Sequence, residues 1–300
     1  MKRLGSLAAL VAFALQATAC RSVATTAVAN SFAGSGTGGV WAADDDPELI
    51  RDATPFGLKT MEALLESKPE HQGLLESLTS GFTQYAYAFV QMDADRAELE
   101  GRSGEAQVLR ERAKRLFLRA REYGLRGLEL RHPGLRQKLE SVRDAGPALQ
   151  QLDAKDVPLA YWTAASWALA ISSGKEDMAL VAELPVPGAM VERALALDES
   201  WDAGALHEFL VSYAAANGDV ASAKSHYERA RVLGRGQKLG TDVSFAEAVL
   251  VPAQDRDAFT KTLEGVLSAD ARAVREYRLA NVLAQRRARL LLDHADDLFL

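Results

Sequence analysis

The chain is predicted to be all-α, and three observations carry that expectation. From Asp46 onward, apolar residues recur at spacings of three and four, the period of a helix face. The interruptions are short and rich in Pro, Gly and Asp, as helix ends are. No segment sustains the alternation that a half-buried strand requires. With 48% hydrophobic residues among 300, the chain can bury a large core.

The first segment is read differently. Met1-Lys2-Arg3 is a short basic head, and Leu4 to Leu15 is an apolar stretch broken only by Gly5 and Ser6. Ala17-Thr18-Ala19 then leads into Cys20, the chain's only cysteine. This is the layout of a secretory signal, with an apolar region too short to span a bilayer. Cys20 directly after small residues also resembles a lipobox, in which the thiol is acylated and becomes the new N-terminus. A lipobox favours a larger aliphatic residue where Ala17 stands. Ala17-Thr18-Ala19 and Ala27-Val28-Ala29 also suit ordinary signal peptidase, so a soluble exported protein is the alternative. The lipoprotein reading divides the chain into a signal peptide at 1–19, an acylated Cys20 with a tether to residue 45, and a helical domain at 46–300. Removing Lys2 and Arg3 with the signal takes the formal charge from −6 to −8, a poor match for nucleic acid or an anionic membrane surface. With Cys20 consumed, stability rests on packing rather than a disulfide.

Ser22 to Ala43 is rich in Ala, Ser, Thr and Gly and reads as a flexible tether. Asp46-Pro47-Glu48 starts the first helix with a capping carboxylate, Pro at the first helical position and an acid in the first turn. Pro55 is expected to kink or split it, and Leu58, Met61 and Leu65 carry its stripe to Lys68-Pro69. Leu75, Leu78, Phe82, Tyr85 and Phe89 line the second helix. After Gly101 to Gly104, a third runs from about Glu105 to Arg131. Its buried face takes Leu109, Ala113, Leu116, Phe117, Ala120 and Tyr123. Its outer face interleaves Arg with Glu105, Glu111, Glu122 and Glu129, a solvated surface of helix ion pairs. Pro158 to Ile171 is apolar on nearly every side, which marks a central helix.

Between Trp201 and Leu233, one helix ends at Asn217-Gly218-Asp219. The next carries Ala223, Tyr227 and Ala230, the small–aromatic–small spacing by which tetratricopeptide-type helices nest. Ala113, Phe117 and Ala120 repeat it. The expected architecture is therefore a degenerate TPR-like helical repeat array.

Most catalytic signatures are absent from the sequence. His207-Glu208 begins like a zincin motif, but Val211 stands where the second His is needed. The five histidines are scattered along the chain, so no metal site is expected. No nucleophile elbow is present, and Gly234 to Gly240 lacks the Lys and hydroxyl of a phosphate loop. What remains is a set of aromatic and polar residues in apolar surroundings: Tyr161, Trp162, Trp167, Trp201, His207, Arg278 and Asn281. Aromatic walls with a few convergent polar groups build ligand cavities. Core aromatics with satisfied polar neighbours are the alternative.

Six stretches together resemble a known family: Pro47–Lys59, Ser80–Val90, Tyr161–Trp167, Gly204–Leu210, Arg278–Ala288 and Asp296–Leu300. They are similar to the T-component of TRAP transporters, the TPR-like periplasmic lipoproteins associated with these carriers. The resemblance spans about Pro47 to Leu300. It implies a non-enzymatic accessory subunit with no cofactor, a cavity or pore through its middle and assembly as a homotrimer. Its implied partner is a periplasmic solute-binding protein, and its implied cargo a small organic acid, hydrophobic ones included. It carries no ligand residues over, so the site list rests on side-chain character. The expected location is periplasmic, lipid-anchored through Cys20. Arg21 rather than Asp after the cysteine favours the inner leaflet of the outer membrane. The competing function is an envelope scaffold that binds a partner protein and no small molecule.

Overall fold

The computed structural model describes residues 39–300, and every regular element among them is helical. The expected signal sequence, Cys20 and the expected tether up to residue 38 lie outside the described residues. No described helix is long and apolar enough to cross a membrane.

Asp46 caps α1 (Pro47–Ser67) by accepting from the Leu49 amide at 3.1 Å. Pro55 lies inside this helix without splitting it, so of the two expected outcomes, a kink or a split, the split does not occur. His71 caps α2 (Gln72–Tyr85) through Nδ1, which accepts from Leu74 N at 3.2 Å. A π-helical turn (Ala86–Gln91) joins α2 to α3 (Met92–Leu99). α4 (Ser103–Arg131) is the longest helix, at 29 residues. Two short helices follow, α5 (Leu135–Leu139) and α6 (Val142–Leu149). The Asp153 capping box and a 3-10 turn at Ala154–Asp156 then lead into α7 (Val157–Ser173). Beyond it come α8 (Met178–Val181) and α9 (Pro185–Leu197).

A 3-10 turn at Trp201–Gly204 enters the hairpin of α10 (Ala205–Ala216) and α11 (Val220–Leu233). Asp219 caps the second of these through Ser222 N. α12 (Gly240–Phe245) runs into a second π-helical turn (Ala246–Leu250). α13 (Arg256–Ser268), a 3-10 turn (Arg275–Tyr277), α14 (Arg278–Asp293) and α15 (Ala295–Leu298) complete the chain. Helix lengths from 4 to 29 residues define no constant repeat period.

The expected faces are the buried ones. Leu75, Leu78, Phe82, Tyr85 and Phe89 are buried, as are Ala113, Phe117 and Ala120. Each large apolar side chain so enclosed contributes about 1.5–3 kcal/mol. α7 is the central helix of the first core, packed on α4, α2 and α9. Its approach to α4 is very close: a Cβ on Gly124 would lie 2.1 Å from Thr163 Oγ1, and one on Gly127 2.7 Å from Leu159 Cδ2.

A second core gathers α10 to α14 around Phe259, Leu263, Val243 and Leu291. α10 serves both, giving Leu206 and Leu210 to the first core and Val211 and Ala214 to the second. Ala223 and Ala230 are buried in the hairpin, as their small size required. The C-terminal helix then returns to the start of the chain. Leu279 N donates to Ala42 O at 3.0 Å, Arg286 pairs with Glu48, and Arg287 reaches Asp95 on α3 at 3.1 Å. The succession of helices thus closes on itself, with α14 against α1 and α3.

Candidate functional site

Closure brings together residues that are far apart in sequence. Tyr161, half-buried on α7, is the centre of an aromatic wall. Its ring lies 4.9 Å edge-on from Trp162 and 4.7 Å from Trp201. Ring pairs at this distance contribute beyond their area burial. Among the described residues the Tyr161 hydroxyl has no hydrogen-bond partner. Burial raises its pKa, and the charges of Glu208 and Asp202 add to the effect.

Tyr87, in the first π-helical turn, faces the same space. Its side chain is 47% exposed, yet burial, with Glu247 adding, pushes its pKa up to about 12. Its charge also acts on Tyr161, which puts the two phenols near one another. Its hydroxyl also lacks a partner among the described residues. Both phenols stay protonated at neutral pH and remain free to donate.

Two charged groups flank the tyrosines. On one side Lys238 Nζ donates to Glu208 Oε2 at 2.9 Å and to Asp202 O at 3.1 Å, and it sits 5.9 Å from the Tyr277 ring. Thr241 also donates to Glu208. Burial alone would lower the Lys238 pKa, but the adjacent Glu208 and Asp202 carboxylates raise it, so the lysine stays charged. On the other side Arg287 joins Glu247, which lies in the second π-helical turn, and Asp95. Burial raises the Asp95 pKa, Arg287 opposes that, and Glu247 reinforces it. Each π-helical turn therefore supplies one residue to this recess, consistent with the concentration of such turns at functional sites.

The Trp201–Gly204 turn is strained. Asp202 and Ala203 hold φ of 43° and 50°, left-handed values costing roughly 1–2 kcal/mol per non-Gly residue. Strain of this kind gathers at ligand clamps. Burial raises the Asp202 pKa, Glu208 adds to it and Lys238 opposes it. A carboxylate with a raised folded pKa favours folding at acid pH, and that contribution is lost as pH rises from about 4. Asp202→Asn keeps the tolerance for left-handed backbone and removes the charge. Its melting temperature should exceed wild type at pH 7 by roughly 1–3 °C, with the difference vanishing below pH 4. An equal melting temperature at pH 7 would show that Lys238 fully compensates the burial.

The other sequence candidates lie in frame-holding positions. Trp167, 3% exposed, donates from Nε1 to Glu183 at 2.8 Å while Arg121 covers its ring at 4.9 Å. Asn281 clamps the loop before α12, donating to Gln237 O at 2.9 Å and accepting from Leu239 N at 3.0 Å. Arg278 donates to Ala43 O and Arg272 O, tying residues 39–45 to α14. His207 contacts His226 and Glu199 inside the hairpin. Sequence reasoning missed Tyr87, Asp95, Asp202, Glu208, Lys238, Glu247 and Arg287. The one available signal was Tyr87, an aromatic residue off the Tyr85–Phe89 stripe.

A separate surface cleft of about 210 Å³ lies between α1 and α4 and is lined by Lys59, Glu62, Arg119 and Tyr123. Buried Glu62 accepts from Lys59 and Tyr123, each at 2.6 Å, and pairs with Arg119. Burial raises its pKa less than these partners lower it. No group of three or more His, Cys, Asp or Glu suited to a metal ion occurs among the described residues.

A family model described as TRAP transporter T-component matches residues 43–299. A protein of Treponema pallidum (strain Nichols), described as uncharacterized, is 28% identical over 268 residues, covering 87% of this chain and 83% of that protein.

Proposed function

The chain belongs to the TRAP transporter T-component family, and from that premise we propose that its recess receives a small organic acid for a TRAP-type carrier. In this reading the protein is an accessory subunit, held at the periplasmic face of a membrane through Cys20. It docks a periplasmic solute-binding protein and assembles as a homotrimer. The carrying observation is the pair of unpartnered phenols, Tyr87 and Tyr161, beside the Trp162–Trp201 wall. A carboxylate accepts from the two hydroxyls, which donate because they stay protonated. Lys238 is already paired with Glu208 and Asp202, so the two hydroxyls carry the recognition. An apolar tail lies against the rings, where each buried CH₂ contributes about 0.8 kcal/mol. No proton or bond needs to change, in keeping with a non-catalytic accessory.

Titration of the protein with fatty and dicarboxylic acids, followed by tryptophan fluorescence, tests this reading. Saturable quenching is expected, lost in Trp201→Ala. In Tyr161→Phe it should weaken about 3- to 10-fold, the size of one hydrogen bond. Arg278→Ala, which alters the bonds to Ala43 O and Arg272 O away from the rings, should leave affinity unchanged. No response to any acid, or a response indifferent to Trp201 and Tyr161, would support the scaffold function instead.

A further inference from the structure

The α10–α11 hairpin holds two histidines in direct contact that no part of the transport reading uses. His207 on α10 is 5% exposed, and His226 on α11 is half-buried. Their Nδ1 atoms are 2.8 Å apart, with ring centroids at 5.0 Å and planes at 41°. On its far side His207 Nε2 is 3.2 Å from Glu199 Oε1. Glu199 is in turn gripped by Arg229 through two bonds of 2.7 Å. A ring nitrogen facing a carboxylate carries the proton, so neutral His207 presents a bare lone pair at Nδ1. The carboxylate–histidine arrangement is the one that orients histidines toward metal ions.

We propose that His207 Nδ1 and His226 Nδ1 together bind one divalent transition cation of the zinc or copper type, bridging the two helices of the hairpin. Two imidazoles on a tetrahedral ion with bonds of about 2.05 Å hold their nitrogens about 3.3 Å apart. The observed pair must open by ~0.5 Å. With nitrogens 2.8 Å and centroids 5.0 Å apart the two rings now point almost end to end, so each must also swing by roughly 30° to aim its lone pair at a shared tetrahedral ion. Imidazole suits zinc and copper better than magnesium or calcium. Water completes the coordination through the half-exposed His226 side. Two carboxylates lie beside the pair: Asp219, whose charge acts on His226, and Glu199, which faces His207 and is gripped by Arg229. Protons balance without release. In the metal-free pair one proton lies between the Nδ1 atoms, on His226. On binding it moves to His226 Nε2 by exchange with water, and both rings stay neutral.

The test is calorimetric titration of the full chain, free of any added histidine tag, with ZnCl₂ and separately CuCl₂. Binding of one ion per chain is expected, with a melting temperature that rises with metal concentration. His226→Gln, at a half-exposed position, should bind at least tenfold more weakly and lose the thermal response. Glu199→Gln should weaken binding by about 10- to 100-fold as a positioning change. The copper complex should show electron-paramagnetic splitting from two nitrogens, reduced to one in His226→Gln. No saturable binding in the wild type would make the pair a hydrogen bond alone and overturn the proposal. So would unchanged stoichiometry and affinity in His226→Gln.

Discussion

Gly124→Leu should cost about 3 kcal/mol or more, lowering the melting temperature by roughly 10 °C. The reason is the α4–α7 seam, where a Cβ on Gly124 would sit 2.1 Å from Thr163 Oγ1 and 2.9 Å from its Cβ. Thr163 is fully buried, and its hydroxyl donates to Leu159 O at 2.6 Å. It has no space to turn into without breaking that bond, so the helices must separate. Overpacking of a filled site costs typically 1–3 kcal/mol, and here the obstructed partner is the central helix of the first core. Denaturant unfolding of Gly124→Ala and Gly124→Leu, each alone and with Thr163→Ala, measures this. The double variants should recover part of the loss, because removing Oγ1 and Cγ2 clears two of the three contacts. A Gly124→Ala midpoint equal to wild type would mean that the seam is not closed.

Gly204→Val should be similarly damaging, at about 3 kcal/mol, and should also disturb the recess. Gly204 has φ of +92°, where a side chain costs roughly 1–2 kcal/mol and a β-branched one more. A Cβ there would meet Leu233 Cβ at 3.1 Å, Ala230 Cα at 3.2 Å and Ala230 O at 3.3 Å. Two of these are backbone atoms that cannot swing aside. Gly204 also ends the strained turn carrying Trp201, so its displacement moves that ring away from Tyr161. Unfolding midpoint and tryptophan emission maximum should shift together. An unchanged emission spectrum in a destabilised variant would separate the turn from the aromatic wall.

Much of the fold was legible because helix ends are local. Asp46-Pro47, Lys68-Pro69, His132-Pro133 and Asn217-Gly218-Asp219 each stop or start a helix through their own backbone chemistry. Their positions survived tertiary folding. Buried faces were legible for the same reason, since Ala113–Phe117–Ala120 and Ala223–Ala230 follow the helical period. Pro55 does not split its helix, although its ring removes one backbone hydrogen bond.

The recess was only half legible. Tyr161, Trp162 and Trp201 stood out as large rings in apolar surroundings. Lys238, Glu208, Asp95 and Arg287 did not, because a charged side chain normally means solvent. What assigns them to the recess is the return of α14 to α1 and α3, a contact more than 190 residues long in sequence between Arg287 and Asp95. His226 was hidden likewise, 19 residues from its partner His207.

The two π-helical turns also set a rule for how this chain can change over time. Each holds one residue more than an α-helix would need to cover the same distance. Losing a residue within Ala86–Gln91 or Ala246–Leu250 would leave a longer, more regular and more stable helix, yet rotate everything beyond it by about 100°. The first loss would turn Asp95 away from Arg287. The second would carry the rest of the chain out of phase with Glu247. A single-residue gap at either turn in a relative would therefore part Asp95 or Glu247 from Arg287, and the relatives worth comparing are those that keep both extra residues.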